Sequence, residues 1–357
     1  MEIGIVGLPN VGKSSLFNAL TGAAIAAENF PFTTIEPNVG IVPLPDKRLQ
    51  ALAGDFNSAK ITPAGIRFVD IAGIVEGASK GEGLGNKFLS HIRSVDAIVH
   101  VVRCFKDENV VNVLGDLNPN HAADIIETEL LLADLQQAEK ALERLRKNAK
   151  SGAKEDKEKA AAMESIVHGF NDGKSARTQD IAPEINKEFQ FLTGKPTLYV
   201  ANTDETNTSQ EIIQQLKERA AREGAGLIEL CTKLEAEIVQ LPPEERVEYY
   251  KEAGIVTPGL GKLAEAGKNL LQLACFFTAG PQETRAWLIP KGTPAVKAAG
   301  KIHSDIERGF IRAEVYRYND FEELGSYKAV QAKNRVTLEG KEYEVRDGDV
   351  IYFRFSV

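Results

Sequence analysis

The sequence predicts an α/β fold: a mostly parallel sheet with helices on both faces, an inserted helical hairpin, and a small α+β domain at the end. Three observations carry this. Short apolar runs alternate with helix-patterned stretches in the first hundred residues and again near residue 200. Residues 120–193 hold no good strand pattern. From about Thr278 the chain becomes short strands and Gly- or Asp-rich turns around one helix.

Taken in order, "EIGIVGL" is a short apolar strand, and "GKSSLFNALTG" has helical spacing that Gly22 would close. "GIRFVDIAG" is a second strand ending at Asp70, and "VDAIVHVVRC" is β-branched and apolar enough to be buried on both faces. "KPTLYVAN" and "AGLIELC" add two more. In the strandless segment, Ile125, Leu132, Leu135, Leu142 and Leu145 fall at helix-like spacing, which predicts an antiparallel hairpin with the charged stretch Lys140–Lys159 at its tip. The expected division is 1–118 with 195–277 for the sheet domain, 119–194 for the helices and 278–357 for the last domain.

At 357 residues the chain can bury two or three cores, and its 43% hydrophobic and 26% charged content is ordinary for a globular protein. Cys104, Cys231 and Cys275 form no CxxC pair, which argues against a disulfide framework or zinc site. Neither a signal-peptide pattern nor an apolar run of about 18 residues is present, so a soluble cytoplasmic chain with no membrane partner is expected. Net charge is −8, but residues 280–357 carry 13 Lys and Arg against 12 Asp and Glu. The last domain is therefore near neutral, and a local RNA contact through Arg308, Arg312, Arg317 and Arg335 stays open.

"GLPNVGKS", Gly7 to Ser14, matches GxxxxGK[ST] in full between a strand and a helix. Backbone N–H groups can curl around a phosphate there, and the helix N-terminus adds partial positive charge. Lys13 is expected on the β- and γ-phosphates, Ser14 on Mg²⁺ and Ser15 on the α-phosphate. Asn10 is a candidate to help hold K⁺. In "NFPFTTIEPN" Thr34 is placed to complete the Mg²⁺ shell, and "DIAG" supplies Asp70 for Mg²⁺ through water and the Gly73 N–H for the γ-phosphate. Lys13, Asp70 and Gly73 are thus the expected catalytic set. Ile74 follows, where an aliphatic side chain cannot orient water. "NTDE", Asn202 to Glu205, stands where guanine-binding proteins carry Asn-Lys-x-Asp. Thr203 loses the Lys stem, and Glu205 pushes its carboxylate off the position that accepts guanine's N1–H and N2 amine.

This ordered set, with "PFTTIEPN", "DIAGIVEGASKGEGLGNKFL", "HVVRCF", "CTKLEAEI" and a terminal "DGDVIYFRF", resembles the YchF/Obg-like ATPases of the TRAFAC P-loop class. The resemblance spans the chain. It implies ATP hydrolysis in preference to GTP and association with the ribosome, as 70S particle or large subunit. It also implies contacts to rRNA or tRNA through the helical arm and a β-grasp-like TGS last domain, and a monomer. Under it Asn10, Val11, Gly12, Lys13, Ser14 and Ser15 form the phosphate loop, Asn202 and Glu205 the altered base motif NxxE, and Cys231 lies near the base. Relatives often carry a His after "VVRCF"; here the aligned position is Asn112, and no general base is named. His91 and His100 read as structural. Two other readings compete: a GTPase of the Obg type, and an RNA-binding module whose nucleotide site is mainly structural.

Overall fold

The computed structural model describes residues 1–26, 38–71, 84–150, 153–205, 210–252, 255 and 257–356. Their contacts divide into two compact units: the described residues of 1–22, 38–40 and 67–259, and those of 23–26, 41–66 and 260–356. Among the described residues, no helix is long and apolar enough to cross a membrane.

The described residues form twelve strands: β1 (Glu2–Val6), β2 (Val39–Pro43), β3 (Lys60–Thr62), β4 (Gly65–Asp70), β5 (Ala97–Arg103), β6 (Thr197–Asn202), β7 (Gly226–Leu230), β8 (Leu273–Thr278), β9 (Glu283–Pro290), β10 (Phe310–Arg317), β11 (Thr337–Glu339) and β12 (Asp349–Phe355). The first sheet runs β2-β4-β1-β5-β6-β7, and its β4–β1–β5–β6–β7 pairs are all parallel. Every residue of β5 and β6 is buried, as expected of strands with sheet neighbours on both sides and covered faces. The helix Lys13–Ala26 follows the phosphate loop. It runs past Gly22, where the sequence pattern had placed its end. A Cβ on Gly22 would lie 2.6 Å from Val239, so this glycine serves close packing and not termination.

The predicted hairpin is formed by the helices Pro119–Ala149 and Lys154–Asn171. Asn118 caps the first, accepting from the N–H groups of Asn120 and His121 at 3.0 and 3.2 Å, with Pro119 in the first turn. The connection is far shorter than the charged stretch suggests, because Ala, Lys and Glu are strong helix formers and extend both helices toward the tip. Ion pairs Lys159–Glu155 and Lys154–Glu158, four residues apart, fit the same reading. The seam is built on Ala138, Ala141 and Leu142 against Met163, Ile166 and Phe170; Leu135 and Leu145 are only partly buried beside it. Asp134 is fully buried and ties the arm to the segment before β6. It accepts the Leu192 and Thr193 N–H groups at 2.8 Å each and the Thr193 hydroxyl at 2.7 Å.

Arg219, in the helix Gln210–Arg222, joins that arm to the sheet. It donates to Asp124 at 2.6 Å and to the Asn120 carbonyl at 3.2 Å, and it pairs with Glu223 at 2.7 Å. Tyr199 of β6 donates to Glu223 at 2.8 Å, and Arg177 donates to Glu127 at 2.5 Å.

The second unit holds the sheet β11-β10-β12-β8-β9-β3. Its two faces bury Phe276, Ala298, Ala313, Ile351 and Phe353 on one side and Leu52, Cys275, Phe277, Tyr316 and Val350 on the other. Here the structure departs from the expected division. Residues 41–66 belong to this unit, with β3 pairing β9 in parallel from Lys60↔Glu283 to Thr62↔Arg285, and β8 places the C-terminal sheet's first strand before residue 278. A three-residue strand has no periodicity to read; its place is set by its partner.

His100 of β5 is 5% exposed, and its ring centroid lies 5.3 Å from that of Tyr199. Burial, reinforced by the charges of Arg219 and Arg177, pushes its pKa down to about 3. The unfolded chain then binds one more proton than the folded chain between about pH 6.5 and 3. Stability from this group is complete above pH 6.5 and is lost as pH falls. His100→Phe should lose about 2 kcal/mol less than the wild type between pH 6.5 and 5, read from urea melts at the two pH values.

Candidate functional site

The phosphate loop leaves β1, turns at Pro9–Gly12 and enters the helix at Lys13. Asn10 adopts φ 62° and Gly12 φ 96°. The second value is costly for any side chain, and a Cβ on Gly12 would stand 2.1 Å from Asn202 Nδ2 and 2.7 Å from Thr232 Oγ1. The loop is thus pressed against the ends of β6 and β7. The Asn202 side chain bridges them: Nδ2 donates to the Val11 carbonyl at 2.8 Å, and Oδ1 accepts from the Thr232 N–H at 3.0 Å.

A cavity of about 710 Å³ opens beside this junction. One wall is the phosphate loop, from Leu8 through Asn10, Gly12, Lys13, Ser14 and Ser15. The second is Asn202–Glu205 with Cys231–Lys233, and the third is Phe105–Asp107 with Val110. The structure therefore brings together the expected Asn10, Gly12, Lys13, Ser14, Ser15, Asn202, Glu205 and Cys231. Val11 contributes through its carbonyl, its side chain being buried. Thr34 and Gly73, together with Ile74, lie outside the described residues.

Lys13 and Asp70 form an ion pair, both side chains mostly buried. Asp70 ends β4 opposite Ile5, and the Ile71 N–H donates to the Ile5 carbonyl at 3.2 Å. The carboxylate is thereby aimed at the start of the phosphate-loop helix. An Asp carboxylate beside the Lys13–Ser14 turn is a hard oxygen donor set that suits Mg²⁺, which prefers few protein ligands alongside phosphate and water.

The Asn10 carboxamide donates to the Val111 carbonyl at 3.2 Å. Asn112 bonds within its own turn, donating to the Asp116 carbonyl and accepting from the Leu114 N–H at 3.3 Å. Glu205 pairs with Lys233 at 3.4 Å, both mostly exposed. Cys231 stands at the N-cap position of the helix Thr232–Ile238 without a side-chain cap bond, and burial pushes its thiol pKa up. His91 is exposed in the last turn of the helix Leu84–Ser94. In the second unit Arg308, Arg317 and Arg335 pair with Asp305, Asp349 and Asp320, which weakens the reading of those arginines with Arg312 as one phosphate-binding cluster.

Sequence reasoning missed Phe105, Lys106, Asp107 and Val110. Their only signal was the "VVRCF" that closes β5.

A parallel sheet with a Gly-x-x-x-x-Gly-Lys-Ser loop at its first strand, an Asp paired with the loop Lys at the next and a cavity between that loop and the end of β6 defines the P-loop nucleotide-binding fold. Residues 2–131 match the family model MMR_HSR1, described as "50S ribosome-binding GTPase", and residues 273–356 match YchF-GTPase_C, described as "Protein of unknown function (DUF933)". The chain belongs to the YchF family. It is 49% identical over 360 residues to the ribosome-binding ATPase YchF of Haemophilus influenzae, covering 100% of this chain and 99% of that one. It is 49% identical over 364 residues to the Bacillus subtilis protein of the same description, covering all of both. The solved Schizosaccharomyces pombe YchF GTPase superposes with a TM-score of 0.88 at 35% identity, covering 99% of this chain and 97% of that one. A GTP-binding protein from Pyrococcus horikoshii, at TM-score 0.61 and 18% identity over the full length of both, shares the fold.

The bridge through Asn202 makes a direct prediction. Asn202→Ala leaves the buried Thr232 N–H and Val11 carbonyl without their partner, so it should cost about 1–3 kcal/mol in nucleotide-free protein. Chemical denaturation followed by circular dichroism checks this; a loss below about 0.5 kcal/mol would contradict the bridge.

Proposed function

We propose that the chain is a Mg²⁺-dependent ATPase switch that hydrolyses ATP to ADP and phosphate and works on the ribosome. The observation that carries it is the junction of Lys13, Asp70 and the phosphate loop at one end of a cavity whose other end is the Asn202–Glu205 motif. Lys13 would draw the β- and γ-phosphates, and Ser14 and Asp70 would hold Mg²⁺, Asp70 through water. Bound there, the ion would neutralise charge developing on the transferred phosphate. Lys13 would then exchange its carboxylate partner for phosphate oxygens. Thr34 and Gly73 complete the proposal as the groups that sense the γ-phosphate, and Val11, Ser15 and Cys231 as groups around the nucleotide. K⁺ beside Asn10 would require that carboxamide to turn from the Val111 carbonyl.

Ribosome association and ATP hydrolysis are what the names of the curated bacterial relatives state, and near-complete coverage at about half identity supports both here. The helical arm and the last domain, read as a TGS domain, are the proposed ribosome-facing parts, with rRNA or tRNA as their partner. A cytoplasmic monomer with the nucleotide domain, arm and last domain as separate working parts follows from the same reading.

A GTPase reading is favoured by two descriptions, that of the family model matching residues 2–131 and that of the S. pombe relative, both as a GTPase. Titration with ATP and GTP side by side separates the two. ATP should bind at least about tenfold tighter than GTP, and Thr203→Lys with Glu205→Asp should narrow that gap. Single-turnover ATP hydrolysis should fall on the order of a hundredfold in Lys13→Ala. Tighter GTP binding by the wild type would select the GTPase, and hydrolysis indifferent to Lys13 would overturn the switch.

A further inference from the structure

We propose that Arg103 is a positioning residue of the nucleotide site. It holds the Phe105 wall of the cavity and the Asn10 corner of the phosphate loop in one piece. This rests on reading the cavity as the nucleotide site.

Arg103 is the last residue of β5, beside Asn202 in the register with β6, and is 7% exposed. Its guanidinium faces two loops at once. Nε donates to the Phe105 carbonyl at 3.3 Å and Nη2 to the Asp107 carbonyl at 3.1 Å, both in the loop after β5. Nη1 donates to the Asn10 carbonyl at 3.4 Å, in the phosphate loop. The same group stacks on Phe105, with Cζ 4.2 Å from the ring centroid. The Asn10 carboxamide closes a second link between the two loops through Val111.

Among the described residues this guanidinium forms no ion pair; the nearby Asp107 charge raises its pKa, but burial outweighs it and pushes the pKa down. Burying a cation with carbonyl acceptors and no paired carboxylate is expensive. A core strand end needing only packing would be served by an apolar residue. A planar fork reaching three carbonyls while its face fixes an aromatic ring is a geometry that Lys cannot reproduce. Phe105 lines the cavity, so its ring is set before a planar base arrives, and less side-chain freedom remains to be lost on binding. The residual positive charge also lies beside the loop that would cradle a triphosphate.

The test is a double-mutant cycle on the full chain with Arg103→Lys and Phe105→Ala, read by ATP affinity, KM and kcat. Arg103→Lys should weaken ATP binding and raise KM about tenfold while kcat stays within about twofold. In the Phe105→Ala background the same change should cost less than about threefold. An equal, additive loss in that background overturns the proposal, as does a fall in kcat at constant KM. Thermal melts report whether Arg103→Lys folds. Should it not, Phe105→Ala alone decides, because ATP affinity unchanged by losing the ring would remove the wall that Arg103 is argued to hold. Lys13→Ala separates the two layers. ATP binding indifferent to Lys13 sinks the site itself, whereas binding lost with Lys13→Ala and an additive cycle sinks only the role of Arg103.

Discussion

The site depends on one buried carboxamide. Asn202 spends its donor on the Val11 carbonyl and its acceptor on the Thr232 N–H, and Gly12 passes so close to it that no side chain fits there. Three segments distant in sequence are thereby stitched at the ends of parallel strands, where such folds place their ligands. A buried amide left half-paired costs about 1–3 kcal/mol, so the stitch is all or nothing. The cavity inherits its shape from it: the phosphate loop cannot shift without dragging the Asn202–Glu205 motif and the Cys231 turn along.

A second set of buried charges does for the arm what Asn202 does for the loop. Asp134 caps the backbone ahead of β6, while Arg219, Glu223 and Tyr199 join the helix after β6 to the first turns of the long helix. Such groups are costly to bury and hold only when fully paired. Their gain is directional. An apolar contact between arm and sheet would tolerate sliding, whereas these bonds fix where the arm leaves the sheet. β6 carries Tyr199 in this network and Asn202 in the other, three residues apart on one rigid strand.

What could be read in the residues was what is contiguous. The phosphate loop, Asp70 and "NTDE" are local motifs whose chemistry is carried by spacing alone, and each lies where its pattern places it. The hairpin was legible as a helical pattern, but its seam was not: it buries Ala138 and Ala141, and small residues leave little hydrophobic signal. The Phe105–Val110 wall has no motif because it is an irregular loop shaped by Arg103 from outside. Likewise β3 is placed by β9, more than two hundred residues away. No local window contains that information.

Glu205 shows how a specificity can change without a site being lost. In a guanine site the corresponding carboxylate must point inward to accept two adjacent donors. Here the Glu205 carboxylate meets Lys233 at the rim, 54% exposed, while the preceding Thr203 is buried and donates its N–H to the Leu230 carbonyl. The motif's backbone is tied to the end of β7, and its side chains differ from Asn-Lys-x-Asp at 203 and 205. An exposed pair of this kind contributes little energy, so Lys233 does not lock the carboxylate away. On the proposed reading the added methylene would leave guanine's donors unmatched, and the missing Lys stem at 203 would remove packing over the base. On that reading a preference for adenine would have to come from the remaining wall, and the rigidity of Phe105 would matter more in this chain than beside an intact Asn-Lys-x-Asp.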